Sequence, residues 1–237
     1  MASNYFDFKQ FRVYHDQCAM KVGTDGVLLG ALVPSFLNPS RILDIGTGSG
    51  LIALMCAQKY NQAKIAAIEL DENAAKQASE NFLQSRWANR LLLHHVDFNE
   101  FESEVQFDLI VSNPPFFAPD KSYRVDASSR KNARYSEVLS HEALLKKTSS
   151  LLCTNGLFFV ILPANISASF IALAKVYGLN QMHQIDIMMK PNAAVTRHIL
   201  GFTPCEVKDI LCQSMVVYDA DGNRSNAYAN ACLEFYL

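Results

Sequence analysis

No Cys-x-x-Cys pair occurs among the six cysteines. A metal framework is therefore not expected, and Cys18, Cys56, Cys153, Cys205, Cys212 and Cys232 read as free thiols, mostly buried, in a reducing compartment. An excess of positive charge is also lacking: 21 Lys and Arg stand against 23 Asp and Glu, for a formal net charge of -2. That balance excludes a uniformly basic nucleic-acid binder, so any contact with a polyanion must come from a local patch. The opening residues Met1-Ala2-Ser3-Asn4-Tyr5 lack the basic-then-apolar pattern of a signal peptide. Apolar runs are broken well short of a bilayer span. Repeats and low-complexity linkers are missing too. Together these absences point to a soluble cytoplasmic protein with no membrane partner and no metal, and they leave the oligomeric state open.

What is present fits an α/β chain. Half of the 237 residues are hydrophobic, enough for one sizeable core. The expected layout is a small N-terminal extension over residues 1–40, contributing to the site, followed by a main domain over 41–237. Phe6, Phe8, Phe11 and Val13 alternate with polar residues, as in a half-buried strand from Phe6 to Val13. Lys21-Val22-Gly23-Thr24-Asp25-Gly26 then precedes an apolar run from Val27 to Val33, with Thr24 or Asp25 as candidate helix caps. From Arg41 onward, strand and helix patterns alternate. Strands are expected at 41–45, 64–69, 91–96, 107–111, 156–162, 182–189 and 197–202, and helices at 51–60, 71–85, 136–152 and 166–176. This order predicts a mostly parallel sheet with helices on both faces. Ligands of such sheets sit at the carboxyl ends of the strands, and the polar signatures of this chain lie at those ends.

The sharpest of them is Asp44-Ile45-Gly46-Thr47-Gly48-Ser49-Gly50-Leu51. Three alternate glycines follow a strand and open a helix. Such a turn brings bare backbone N–H groups close to a ligand. The spacing differs from the Gly-x-Gly-x-x-Gly dinucleotide fingerprint. Glu69 closes the next strand and could accept ribose hydroxyls. Asp97-Phe98 closes the third, where an acid could accept an adenine amino group and an aromatic could face the ring. Asn113-Pro114-Pro115-Phe116 follows the fourth strand. An exocyclic amine is a poor nucleophile because its lone pair is delocalised into the ring. An Asn oxygen and a backbone carbonyl, each accepting one amine hydrogen, would let the nitrogen turn tetrahedral and aim its lone pair. The prolines stiffen the loop, and Phe116 or Phe117 offers a face for a base turned out of its stack. Lys121, Arg124, Arg130, Lys131 and Arg134 follow, a basic stretch where phosphates beside such a base could pass.

Over Arg41 to Phe202 these features resemble the class I S-adenosylmethionine-dependent methyltransferases, a Rossmann-like α/β fold. The resemblance implies a seven-stranded sheet whose last strand runs antiparallel. It places Asp44, Gly46, Gly48 and Gly50 at the methionine end of the cofactor, Glu69 at the ribose, and Asp97 with Phe98 at the adenine. The Asn-Pro-Pro-aromatic motif is similar to that of enzymes methylating amine or amide nitrogens: adenine in DNA or RNA, guanine in ribosomal RNA, or glutamine in release factors. Phe8 to Val13, Cys18 to Ala31 with its Lys-Val-Gly-Thr-Asp-Gly run, Ala133-Arg134 and Phe235-Tyr236-Leu237 closely resemble the bacterial tRNA1(Val) adenine-37 N6-methyltransferases. That likeness implies a tRNA partner and brings Lys21 and Thr24 near the cofactor. Tyr135 stands where a His is expected.

Overall fold

Strands whose successive residues are all apolar must be covered on both faces, and the computed structural model shows how. It describes residues 3–35, 38–114 and 139–236. Eight strands form one sheet: β3 (Arg41–Ile45), β4 (Lys64–Glu69), β5 (Leu91–His95), β6 (Phe107–Ser112), β7 (Leu152–Pro163), β8 (Asn180–Met188), β9 (Val195–Thr203) and β10 (Leu211–Val216). Their spatial order is β10-β8-β9-β7-β6-β3-β4-β5. Only β9 runs against its neighbours, pairing antiparallel with both β7 and β8. Seven of these strands, the reversed β9 among them, match the expectation. The eighth, β10, pairs parallel to β8 and extends the sheet at its edge.

Alternate residues of each strand feed two cores. Ile42, Leu109 and Val111 face α1 (Thr24–Leu32), α2 (Leu51–Lys59) and α3 (Glu72–Gln84), joined by Tyr228 of α6 (Asn226–Ala231). Leu43, Ile110 and Phe158 face α4 (His141–Leu151) and α5 (Ala164–Val176). Among the described residues no helix is long and apolar enough to cross a membrane.

Two local expectations are corrected. Residues Phe6 to Val13 do not form one strand but a hairpin, β1 (Tyr5–Asp7) and β2 (Arg12–Tyr14), paired antiparallel. The alternation survives the turn because Phe8 and Phe11 fold onto each other, buried, with rings stacked at 4.5 Å. Neither Thr24 nor Asp25 caps α1. Gly23 occupies that position without a side-chain cap, because the Asp25 carboxylate is drawn instead to Arg197 of β9, whose Nε donates to it at 2.9 Å.

The last carbonyls of α1 and α2 are closed by side chains from later in the chain. Lys59 Nζ donates to the oxygens of Gly30, Ala31 and Val33 at 2.7–2.9 Å. Arg90 donates to those of Ala57, Tyr60 and Ala63. Burial pulls the Lys59 ammonium down to about 8. Lys59→Met is expected to cost about 2–4 kcal/mol, since each buried carbonyl left without a donor costs about 1–3 kcal/mol and the loss of a buried charge offsets part of it. A urea midpoint unchanged from wild type would refute this.

Candidate functional site

Chain connectivity reverses at β3: the next strand, β4, lies on one side of it and β6 on the other. Such a switch point opens a crevice at the carboxyl ends of the two strands between which the order reverses. Here those ends are Ile45, leading into Gly46, and Ser112, leading into Asn113. Ile45 and Ser112 are register partners, and Ser112 Oγ donates to the Ile45 oxygen at 2.9 Å. The glycine loop and Asn113, 67 residues apart in sequence, are thereby fixed at one edge of one cleft.

That cleft has a volume of about 260 Å³ and is lined by Lys21, Thr24, Gly46, Gly48 and Asn113 among others. These five were singled out from the sequence and the structure brings them together. Val22, Gly23, Asp25, Gly26, Leu51 and Ile52 complete much of the wall. Val22, Gly23, Asp25 and Gly26 belong to the Lys-Val-Gly-Thr-Asp-Gly run and Leu51 closes the glycine motif; Ile52 follows it without a signature of its own. Gly26 lets α1 approach Leu51 closely: a Cβ there would lie 3.1 Å from Leu51 Cδ2, and 3.9 Å from Asn113 Nδ2.

The glycine loop is a left-handed staircase, with φ of +70, +57 and +84 at Gly46, Gly48 and Gly50. Nothing lies within 4 Å of where a Cβ on Gly46 or Gly48 would stand. The loop is held from below. Asp44 is fully buried, and its Oδ2 accepts from Thr47 Oγ1 at 2.6 Å and from the Ala53 N–H at 3.1 Å. Its Oδ1 is buried with no partner. Glu69 Oε2 accepts from the Gly48 N–H at 2.8 Å, and Oε1 accepts from the N–H groups of Leu70 and Asp71. Three of its roughly four lone-pair positions are thus taken by backbone.

Asp97 and Phe98 do not line the cleft. Asp97 Oδ1 accepts from the Asn99 N–H at 2.7 Å. Phe98 is a core ring, packed with Leu43, Ile68 and Phe101. Asn113 differs from Asp97 and Phe98: it lines the cleft, and its Oδ1, like Asp44 Oδ1, is a buried acceptor without a partner. Pro114 beside it is buried. Pro115, Phe116, Phe117, Lys121, Arg124, Arg130, Lys131, Arg134 and Tyr135 lie outside the described residues. Among the described residues no group of three or more His, Cys, Asp or Glu could hold a metal ion.

Burial pushes the Asp44 carboxyl up to about 7, against the pull of its bonds from Thr47 and Ala53. Between pH 4 and 7, roughly, the folded chain keeps a proton that the unfolded chain has released. The stability from this group therefore rises as pH falls from 7 toward 4, and is lost above 7. Asp44→Asn keeps one oxygen that can accept both bonds and removes the titration, so its melting temperature should vary less than that of wild type over pH 5–7.5. An identical slope would refute the assignment.

Residues 20–184 match the family model described as the methyltransferase small domain. Relatives at similar identity span essentially the whole chain. A tRNA1(Val) (adenine(37)-N6)-methyltransferase of Flavobacterium johnsoniae is 42% identical, covering 98% of this chain and 99% of that protein. Proteins of the same name from Bacteroides fragilis (42% identical, covering 100% of this chain and 99% of theirs) and Serratia proteamaculans (43%, covering 98% and 89%) are equally similar. Among solved structures, a predicted O-methyltransferase of Agrobacterium tumefaciens superposes with a TM-score of 0.65 at 15% identity, covering 89% of this chain and 95% of that one. A TehB-like SAM-dependent methyltransferase of Corynebacterium glutamicum gives 0.52 at 18%, covering 78% and 89%. These two speak for the fold alone. The family model and the full-length identities go further: the chain belongs to the methyltransferase small domain family and to the tRNA1(Val) (adenine(37)-N6)-methyltransferases that it matches.

Proposed function

We propose that this protein transfers a methyl group from S-adenosylmethionine to the exocyclic N6 of adenine 37 in tRNA1(Val), in the cytoplasm. The single observation that carries the chemistry is Asn113 Oδ1, a buried acceptor without a partner at the wall of the glycine-loop cleft. An acceptor in that condition is costly to keep, and its cost is offset only by a donor that arrives with a ligand. The amino group of adenine is such a donor.

The cofactor fits the residues that would hold it. Gly46 and Gly48 leave open space above the loop, and a Cβ at either would fill it. Asp44 Oδ1 offers a buried acceptor without a partner for the cationic end, with Lys21 and Thr24 on the opposite wall. Glu69 retains one lone-pair direction for a ribose hydroxyl. Asp97, at the end of the third strand unit and outside the cleft lining, is assigned to the adenine edge, and Phe98 to the core beside it. When bound, S-adenosylmethionine supplies an electrophilic methyl group.

The chain's own residues do the rest. Asn113 Oδ1 accepts one N6 hydrogen and the Pro114 carbonyl accepts the other. The nitrogen is thereby held close to tetrahedral with its lone pair free. Pro114 and Pro115 fix the loop, and Phe116 stacks on the base. No strong base is needed before transfer, because the proton leaves from a nitrogen already made cationic. Lys121, Arg124, Arg130, Lys131 and Arg134 are assigned to the flanking phosphates. In this division residues 1–40 serve the main domain, 41–237, as one wall of its cleft.

Tritium-methyl transfer to unmodified tRNA1(Val) transcripts with adenine or guanine at position 37, alongside a release factor and DNA, tests the proposal. Label on the adenine-37 transcript alone is the expected result. Label on the release factor alone would overturn it.

A further inference from the structure

Two amide side chains on α3, Gln77 and Asn81, are each only 1% exposed. They stand four residues apart on one helical face. The other buried positions of that helix are Ala74, Ala75, Ala78 and Phe82, so packing alone would be served by an apolar residue. Buried amides are tolerated where every polar atom finds a partner, and here they do. Asn81 Oδ1 accepts from the Tyr14 N–H at 3.0 Å, and Nδ2 donates to the Tyr14 oxygen and the Ser49 oxygen, both at 2.8 Å. Toward Tyr14 the amide mimics a neighbouring strand, taking its N–H and C=O together. Toward Ser49 it grips the glycine loop. Gln77 Oε1 accepts from the Gln17 N–H at 2.9 Å and from Cys18 Sγ, and Nε2 donates to Asp16 Oδ1 at 2.8 Å.

The strap continues beyond these bonds. His15, also buried, has Nδ1 accepting from the Val22 N–H at 3.3 Å and Nε2 bonded to the Ser3 oxygen at 3.0 Å. Those partners set the tautomer with the proton on Nε2. Residues 14 to 22 are thereby tied to α3 and closed on themselves, and residues 20 to 26 then form one wall of the cleft. The glycine loop, forming the other wall, is pinned at adjacent residues: Gly48 by Glu69 and Ser49 by Asn81.

We propose that Asn81, with Gln77, is the positioning element that sets the spacing between the two walls of the cofactor cleft. The proposal rests on the reading of that cleft as the S-adenosylmethionine site. Neither residue is bonded to Asn113, which follows β6. Loosening them should therefore weaken cofactor capture and leave the chemical step almost intact.

The test is calorimetric titration with S-adenosylhomocysteine and steady-state kinetics on four proteins: wild type, Asn81→Asp, Gln77→Leu and Leu145→Ala. Asn81→Asp keeps the acceptor and loses both donors. Gln77→Leu frees residues 16–18 without touching Ser49, and gives the reading should Asn81→Asp fail to fold. Leu145→Ala destabilises the opposite core and serves as the control. Both α3 variants are expected to raise Kd for S-adenosylhomocysteine and KM for S-adenosylmethionine by about tenfold or more, with kcat within about threefold. Leu145→Ala should lower the melting temperature and leave Kd unchanged. Unchanged Kd in the α3 variants, with a lower melting temperature, would overturn the proposal and leave these residues a structural role only. Failure of wild type to bind would instead overturn the cofactor reading of the cleft, and the proposal with it.

Discussion

Asn113→Ala is expected to lower kcat for methyl transfer by about 10²–10³-fold or more, the range found when one preorganised polar contact to a transition state is removed. The loss should appear in kcat and kcat/KM alike, because the bond to the N6 hydrogen tightens only as the nitrogen becomes tetrahedral. Cofactor affinity should stay within about twofold, since the glycine loop is held by Asp44, Glu69 and Asn81 and not by Asn113. Stability should be unchanged or slightly higher. The variant removes a buried oxygen that has no partner in the folded chain, and deleting such a group relieves a desolvation penalty. Calorimetry, melting and single-turnover transfer on one preparation separate the three statements. Full activity in Asn113→Ala would sink the mechanism whatever the other two gave.

Gly50→Ala should be the most damaging of the loop substitutions, and for a different reason. Gly50 has φ of +84, and a Cβ there would lie 2.5 Å from Phe82 Cε1 and 3.1 Å from its Cζ. Phe82 is buried on α3 within the core that includes Leu51 and Ala78, so its ring cannot swing aside without disturbing that core. The left-handed conformation costs a non-glycine residue about 1–2 kcal/mol, and overpacking a core adds about 1–3 kcal/mol. The sum, about 2–5 kcal/mol, is a large share of an ordinary domain's stability. Gly48→Ala carries the conformational cost alone, because nothing stands near its Cβ. Its damage should fall on cofactor affinity instead. Denaturant melts paired with S-adenosylhomocysteine titrations distinguish the two. Equal stability for Gly50→Ala and Gly48→Ala would show that the ring contact is not what demands glycine at position 50.

Where burial follows a simple period, the sequence could be read directly. Residues 42–43, 65–68 and 109–111 are apolar without alternation because both faces of those strands are covered, and the strand ends hold the polar residues of the site. β10 escaped notice because its residues Leu211, Cys212, Gln213 and Ser214 are all exposed, so an edge strand leaves no apolar pattern. The hairpin of residues 5–14 was hidden by an alternation that passes through its turn. For the site, the glycine loop and Asn113 carry local signatures, whereas Lys21 and Thr24 were reached through family likeness. Gln77 and Asn81 have no signature at all. Their meaning depends on backbone 32 to 67 residues away, and a helical pattern registers them only as polar residues on an apolar face.

Lys59 and Arg90 close the ends of α1 and α2. Each closes a helix that precedes it, so the dependencies run backward along the chain. α1 is complete only when α2 is in place, and α2 only when the turn at Ala88–Arg90 has docked. α1 begins at Thr24, which lines the cleft. Opening of that wall is therefore coupled to loss of two charged caps and of the strap to α3. The consequence is cooperativity: amide exchange along residues 14 to 32 should proceed in one correlated opening shared with α2, not by fraying from the nearest chain end.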